Sequence, residues 1–227
     1  MLCILQARMS SKRFPGKTLK LLKGKKILEL IHEQISRSNF ISEIIVATSK
    51  HFSDDKIFLF CKKRNIKVFR GSLNNVASRY YQIVKKKRCK YFLRINADSP
   101  LSSEKIIDQL CKKSKESKID IITNVFPRTF PKGQSVEIIR SSLLKKYIGK
   151  FDKYDLEHVT SYFYKNFKKF KIKKIKNKFD QSMYNLSIDT KNDFRNMNSV
   201  LSLHDINNFD FNKLSQKTKN KFLYEKI

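Results

Sequence analysis

Apolar and polar positions along this chain follow two periods in turn. Leu2-Cys3-Ile4-Leu5 is a short apolar run that predicts a buried strand. From Ile27 to Ser38 the apolar residues Ile27, Leu28, Leu30, Ile31 and Ile35 recur at helical spacing, and Glu43 to Ala47 then predicts a compact second strand. Ser53 and Asp54 are candidate caps for a helix carrying Ile57, Phe58, Phe60 and Cys61, followed by a strand from Ile66 to Phe69 that Gly71 closes. Another helix follows Gly71, a strand begins at Tyr91, and a helix spans Glu104 to Cys111. Ile119 to Asn124 and Val136 to Ile139 read as strands. Between Lys169 and Lys176 lysine alternates with Phe170, Ile172 and Ile175, the pattern of an edge strand defended by charge. Asn185 to Asp189 predicts a last strand. Helices alternating with apolar strands predict a three-layer α/β fold on a mostly parallel sheet, with ligands at the carboxyl ends of its strands. The 227 residues, 40% of them apolar, fit one domain, 1-227.

The polar residues that follow the strands carry the candidate chemistry. After the first strand, Gln6-Ala7-Arg8 opens a loop that holds the cations Arg8, Arg13 and Lys17, the hydroxyls of Ser10 and Ser11, and a Pro15-Gly16 turn. A strand end feeding such a loop offers inward backbone N–H groups and positive charge, which is what a polyphosphate needs. Gly16-Lys17-Thr18 is also the tail of a Walker A loop, but Ser11 stands where that motif needs Gly, and Gly24 interrupts the helix that should follow. A solvated basic surface loop is the plainer alternative. Tyr91 to Asp98 is a strand ending in a carboxylate before a Ser99-Pro100 turn, and Asn185 to Asp189 repeats the pattern. Each Asp is placed to hold a hard cation bound to phosphate oxygens, or simply to cap the next helix.

In order along the chain, these segments resemble the signatures of sugar-activating cytidylyltransferases of the spore-coat-polysaccharide type, with acylneuraminate and 3-deoxy-manno-octulosonate cytidylyltransferases as more distant cousins. The first loop matches (Gln or Pro)-Ala-Arg, Ser, Arg, Pro-Gly-Lys through Gln6, Ala7, Arg8, Ser11, Arg13 and Lys17. Arg94-Ile-Asn96-Ala97-Asp98-Ser99-Pro100-Leu101 resembles Arg-Ile-Thr-Gly-Asp-Cys-Pro-Leu, and Leu186 to Phe194 resembles Leu-x-Val-Asp-Thr-x-x-Asp-Phe. Arg128-Thr-Phe-Pro-Lys-Gly133-Gln134-Ser135-Val136-Glu137 follows a segment bordering the sugar pocket, with Ser135 in place of the usual Asp, and Leu156 to Thr160 resembles a Glu-His-Val-Thr element. The resemblance covers about residues 2 to 200 and rests on the order of its motifs.

It implies a Rossmann-like nucleotidyltransferase fold with a small dimerisation arm at about 126-180, and therefore a homodimer. It implies transfer of a cytidylyl group from CTP to a sugar, with release of pyrophosphate and formation of a CMP-sugar for surface polysaccharide or glycan. Arg8, Arg13, Lys17 and Asp98 become the expected catalytic residues, Asp98 and Asp189 the Mg²⁺ ligands, and Gln6, Ala7, Ser11, Arg79 and Asn96 further contacts to the nucleotide. Arg128, Gln134 and Glu137 are the expected sugar contacts. An acidic 2-keto sugar suits a chain this basic, and Arg is the residue type that holds a carboxylate by two hydrogen bonds. For Arg79, a place on a helix surface is the alternative.

Charge and cysteine content adjust this picture only slightly. A formal charge of +30 raises nucleic-acid binding as a second class of function. The densest runs, Lys85-Lys86-Lys87-Arg88 and Lys168 to Lys178, lack the aromatic platforms and motifs of a dedicated module, and lysine-rich, asparagine-rich composition also follows from an AT-biased genome. Cys3, Cys61, Cys89 and Cys111 form no Cys-x-x-Cys pair and read as small buried residues in a reducing compartment. No stretch has the length of a membrane span or a signal peptide, so a cytoplasmic location is expected.

Overall fold

In the computed structural model, which describes residues 1–114 and 118–223, the first apolar run forms β1 (Leu2–Gln6). A small hairpin follows, β2 (Leu21–Leu22) paired with β3 (Lys25–Lys26). Then come α1 (Ile27–Ser36), β4 (Glu43–Ser49), α2 (Asp55–Lys63), β5 (Val68–Gly71), α3 (Val76–Lys87), β6 (Tyr91–Asn96) and α4 (Glu104–Lys113). The second half of the chain supplies β7 (Ile121–Thr123), β8 (Glu137–Arg140), α5 (Ser141–Tyr147), α6 (Lys153–His158), α7 (Ser161–Lys165), β9 (Ile172–Lys174), α8 (Lys191–Leu201) and α9 (Gln216–Asn220).

Seven strands make one sheet in the order β5-β4-β1-β6-β8-β7-β9. β1 pairs in parallel with β4 and β6, β4 with β5, and β7 with β9, while β8 runs antiparallel to both of its neighbours. Alternation along the strands divides the core in two. Cys3 and Leu5 face a cluster with Ile31 of α1, Ile57 of α2, Leu110 of α4 and Val200 of α8, whereas Leu2 and Ile4 face Ala77 and Tyr80 of α3, Leu144 of α5 and Phe163 of α7. Helices therefore cover both faces, as the alternating pattern predicts.

The chain passes from β1 outward through β4 to β5 and then returns to the other side of β1 as β6. Between β1 and β6 the strand order reverses, and the crevice outside the carboxyl ends at such a switch point is where open α/β sheets bind ligands.

Three expectations change in detail. β5 begins at Val68, because the Ile66 amide donates to Cys61 O and closes the end of α2. Asn185 to Asp189 is extended and buried but joins the sheet through no ladder. Asn185 bridges to Lys132, the Leu186 amide donates to Lys132 O, and the Ile188 amide donates to Asp98 O. Asp54 caps no helix through its side chain. Within residues 126–180, β8 lies inside the sheet, and Val159, Phe163 and Phe170 are core residues. Cys3, Cys61 and Cys111 are buried free thiols, and burial pushes those of Cys61 and Cys111 up to about 12. Among the described residues no helix is long and apolar enough to cross a membrane.

Candidate active site

Parallel pairing of β1 with β4 and β6 sets Gln6 beside Ala47 and Asn96, so the chain segments leaving these three strands meet at one edge of the sheet. A cleft of about 460 Å³ opens there. Its wall includes Gln6, Ala7, Arg8, Ser11, Arg13 and Lys17 from the first loop, Asn96 and Asp98 from the end of β6, and Asp189. Residues more than 180 positions apart thus converge as the motif order implied.

The loop after β1 is held from beneath. Asp54 is fully buried, and its carboxylate accepts from the Met9 amide at 2.7 Å and the Ser49 amide at 3.1 Å, tying the loop to the end of β4. Within the loop the Gly16 amide donates to Met9 O and the Thr18 hydroxyl to Arg8 O. One 3-10 turn, Lys17–Leu19, and then the β2–β3 hairpin follow Lys17, so the long helix of a Walker A loop is absent there. In the sequence Asp54 reads as a candidate helix cap; its anchoring role depends on burial that sequence spacing does not express.

Lys17 is nearly buried and lies between the two carboxylates. Its Nζ is 3.3 Å from Asp98 Oδ2 and 3.0 Å from Asp189 Oδ1, and it donates to Ile188 O at 2.6 Å. Asp189 also faces Arg13 at 3.2 Å and Lys132 at 2.5 Å, both on Oδ2. Burial works against the charged form of Asp189, but Lys132 and Lys17 outweigh it and hold its carboxyl far below the usual carboxylate range. Thr190 caps α8, its hydroxyl accepting from the Asp193 amide, and the Asp193 carboxylate completes the capping box by accepting from the Asp189 and Thr190 amides. The Asp189 side chain is thereby left to the cleft.

The two carboxylates supply hard oxygen donors on either side of one ammonium. A divalent cation that completes its shell with phosphate oxygens and water needs only one or two carboxylates, so this donor set fits Mg²⁺. Among the described residues no group of three or more His, Cys, Asp or Glu gathers into a closed metal cage.

Opposite the loop, α6 closes the cleft with Glu157 and His158, and Arg8 Nη1 lies 3.2 Å from Glu157 Oε1. Immediately after them Val159 is buried at φ 32°, a backbone region that β-branched residues rarely adopt. At the floor, Arg94 is paired with Glu137 across β6 and β8, and Glu137 also accepts from Tyr164 Oη at 2.5 Å. Burial disfavours the Arg94 charge, but Glu137 more than offsets it and shifts the guanidinium further upward. Arg94 Nε and Asn96 Oδ1 are buried and have no hydrogen-bond partner, although both side chains line the cleft. Ala97 takes the place of a glycine with its amide on Gln6 O and no positive φ, so its methyl group is accommodated.

Other expected residues lie elsewhere. Arg79 is fully buried behind the sheet edge, donates to Ala47 O at 3.2 Å, and packs so closely on Gly71 that a Cβ there would lie 2.7 Å from Arg79 Cγ. It supports the site from behind and does not line the cleft. Arg128 donates to Ser135 Oγ at 3.1 Å from both Nη atoms, Gln134 borders a separate crevice with Ser102 and Phe209, and Glu137 sits beneath Arg94. Arg94 and Lys132 were not singled out, and Glu157 and His158 only as part of a Glu-His-Val-Thr element; all four fall inside the matched segments, which was the available signal.

Against known proteins, the profile of the cytidylyltransferase family matches residues 2–226. A cytidylyltransferase structure from Leptospira borgpetersenii serovar Hardjo-bovis superposes with a TM-score of 0.91 at 32% identity, over 99% of this chain and 97% of that one. The spore coat polysaccharide biosynthesis protein SpsF of Bacillus subtilis is 26% identical over 88% of this chain and 85% of its own. A 3-deoxy-manno-octulosonate cytidylyltransferase from Bdellovibrio bacteriovorus is 29% identical over 60% of this chain and 55% of its own.

Proposed function

This chain belongs to the cytidylyltransferase family, and from that membership we propose that it transfers the cytidylyl group of CTP to a hydroxyl of an acidic 2-keto sugar. The observation that carries the reading is the convergence in one cleft of the loop cations Arg8, Arg13 and Lys17 with the carboxylates Asp98 and Asp189. In the reaction the sugar hydroxyl attacks the α-phosphorus and gives up its proton to solvent, a new P–O bond forms, and the bond to the β-phosphate breaks to release pyrophosphate. Negative charge builds on the attacking oxygen and on the departing pyrophosphate, so the protein acts mainly by positioning and by opposing charge.

Arg8 and Arg13, with guanidinium groups half exposed at the cleft, bind the outer phosphates, and Lys17 leaves the two carboxylates for the phosphate chain. Asp98 and Asp189 would hold Mg²⁺, which when bound neutralises phosphate charge and lowers the pKa of the attacking hydroxyl. Gln6, oriented by the Tyr80 hydroxyl at 3.2 Å, and Asn96 offer the few hydrogen bonds needed to read a base or sugar edge. For the acceptor carboxylate, Arg94 is better placed than Arg128. It lines the cleft, where Glu137 holds its guanidinium, whereas Arg128 is outside the cleft wall and donates to Ser135.

The test is pyrophosphate release from CTP, UTP, GTP and ATP with a panel of 2-keto sugar acids and Mg²⁺. CTP with at least one acid is expected to give turnover, and Lys17→Ala is expected to lower it by about 10² to 10³, the usual cost of one preorganised charge contact. Turnover with neutral sugars alone would remove the acid-sugar assignment, and unchanged turnover in Lys17→Ala would remove the cleft.

A further inference from the structure

Lys132 lies in a part of the chain where the backbone is clamped. Its amide donates to Tyr184 O at 2.9 Å, its carbonyl accepts from the Leu186 amide at 2.7 Å, and it bridges in parallel to Asn185. The next residue, Gly133, has φ +92°, and a Cβ there would lie 2.4 Å from the Leu186 carbonyl carbon and 2.5 Å from the Ser187 amide. Two chain segments more than 50 residues apart are therefore pressed together just before Asp189, and Lys132 Nζ reaches Asp189 Oδ2 at 2.5 Å.

From this geometry we propose that Lys132 is a positioning residue for the transfer reaction: it holds Oδ2 of Asp189, so that Oδ1 alone is presented toward Lys17 and Asp98. The inference rests on the reading of the two carboxylates given above. It differs from the roles of Arg13 and Lys17, which also face Asp189 but belong to the loop that turns to the phosphates. When the loop cations move to CTP, Asp189 keeps one fixed counter-charge on a clamped backbone and stays aimed. Removing a group that orients a metal-binding carboxylate from outside typically costs about 10 to 100-fold in metal affinity or activity; here the cost falls on turnover, because a close positive charge is removed from the metal site along with it.

Lys132 also adds a positive charge next to the carboxylates before CTP arrives. A divalent cation approaching the free protein meets Lys17, Arg13 and Lys132 around Asp189, so the nucleotide-free site resists metal. Removing Lys132 weakens that resistance while it releases the carboxylate from its orientation. Tighter metal binding combined with slower turnover is a pair of changes that a merely structural lysine would not produce.

The experiment compares wild type, Lys132→Met and Lys132→Arg in two measurements. Mn²⁺ titration of the nucleotide-free proteins, followed by the electron paramagnetic resonance signal of free Mn²⁺, is expected to show about tenfold tighter binding in Lys132→Met, as expected from losing one close like charge, with Lys132→Arg near wild type. Steady-state pyrophosphate release is expected to show kcat lowered by about 10 to 100-fold in Lys132→Met with KM for CTP little changed, and Lys132→Arg regaining most of the loss. Equal Mn²⁺ affinity in all three proteins overturns the proposal. So does a Lys132→Met enzyme with wild-type kcat, or one that Lys132→Arg does not restore. Absence of turnover in wild type would count against the proposed function instead, and the Mn²⁺ arm would still decide the role of Lys132.

Discussion

Asp189 shows how far sequence alone describes one residue. A strand-like run ending in Asp-Thr before an acidic residue marks either a ligand or a cap. The structure separates the two roles by giving the cap to the Thr190–Asp193 capping box and surrounding Asp189 with Arg13, Lys17 and Lys132. Its folded-state pKa is depressed below the ordinary 3.8, so it binds fewer protons folded than unfolded at acid pH. The stability it contributes is present above about pH 4 and is lost as pH falls toward the depressed value. Urea unfolding midpoints measured from pH 6 to pH 2.5 are expected to fall at the acid end, and less steeply in Asp189→Asn. Equal slopes would show that these three cations do not stabilise the charged carboxylate. Lys132, Arg94 and Asp54 were harder to read, because their importance comes from partners far away in sequence. Asp54 carries a burial that only the fold reveals.

At the scale of elements, the strands that form the centre of the sheet were legible because they are apolar on both faces. β1, β4 and β6 lie where the apolar runs predict them, at the boundaries that align Gln6, Ala47 and Asn96. Shorter elements were less legible. The β2–β3 hairpin turns through Lys23 and Gly24, both at positive φ, yet its strands are two residues long and carry no periodicity. Asn185 to Asp189 has the apolar pattern of a strand but pairs with the loop at Lys132 instead of a ladder. Antiparallel insertion of β8 between β6 and β7 brings Glu137 opposite Arg94, a placement that no local pattern encodes. Gly133 tests this element directly. Gly133→Ala places a methyl group against the Leu186 and Ser187 backbone at a left-handed φ and is expected to cost more than about 1 kcal/mol in unfolding free energy. Chemical denaturation that showed no loss would mean the two segments are not pressed together as described.

For the whole molecule, the reversal of strand order beside β1 brings together chemistry that the sequence spreads from Gln6 to Asp189. The +30 charge is partly concentrated here as the loop cations and partly spread over the surface. In the cleft it opposes polyphosphate, and Arg94 and Asn96 leave buried polar atoms for a ligand to satisfy. Fold and reaction class were legible because the matched segments keep their order along the chain, whereas the acceptor contacts were not. Arg128, Gln134 and Glu137 belong to one short segment of the sequence but turn to Ser135, a separate crevice and Arg94 respectively. The most direct test of the account is ³¹P NMR of the protein with CTP, Mg²⁺ and a 2-keto sugar acid. The account predicts a new CMP-sugar phosphodiester resonance growing in equal amount with pyrophosphate. Inorganic phosphate and CDP in their place, or an unchanged CTP spectrum across the panel of acids, would contradict it.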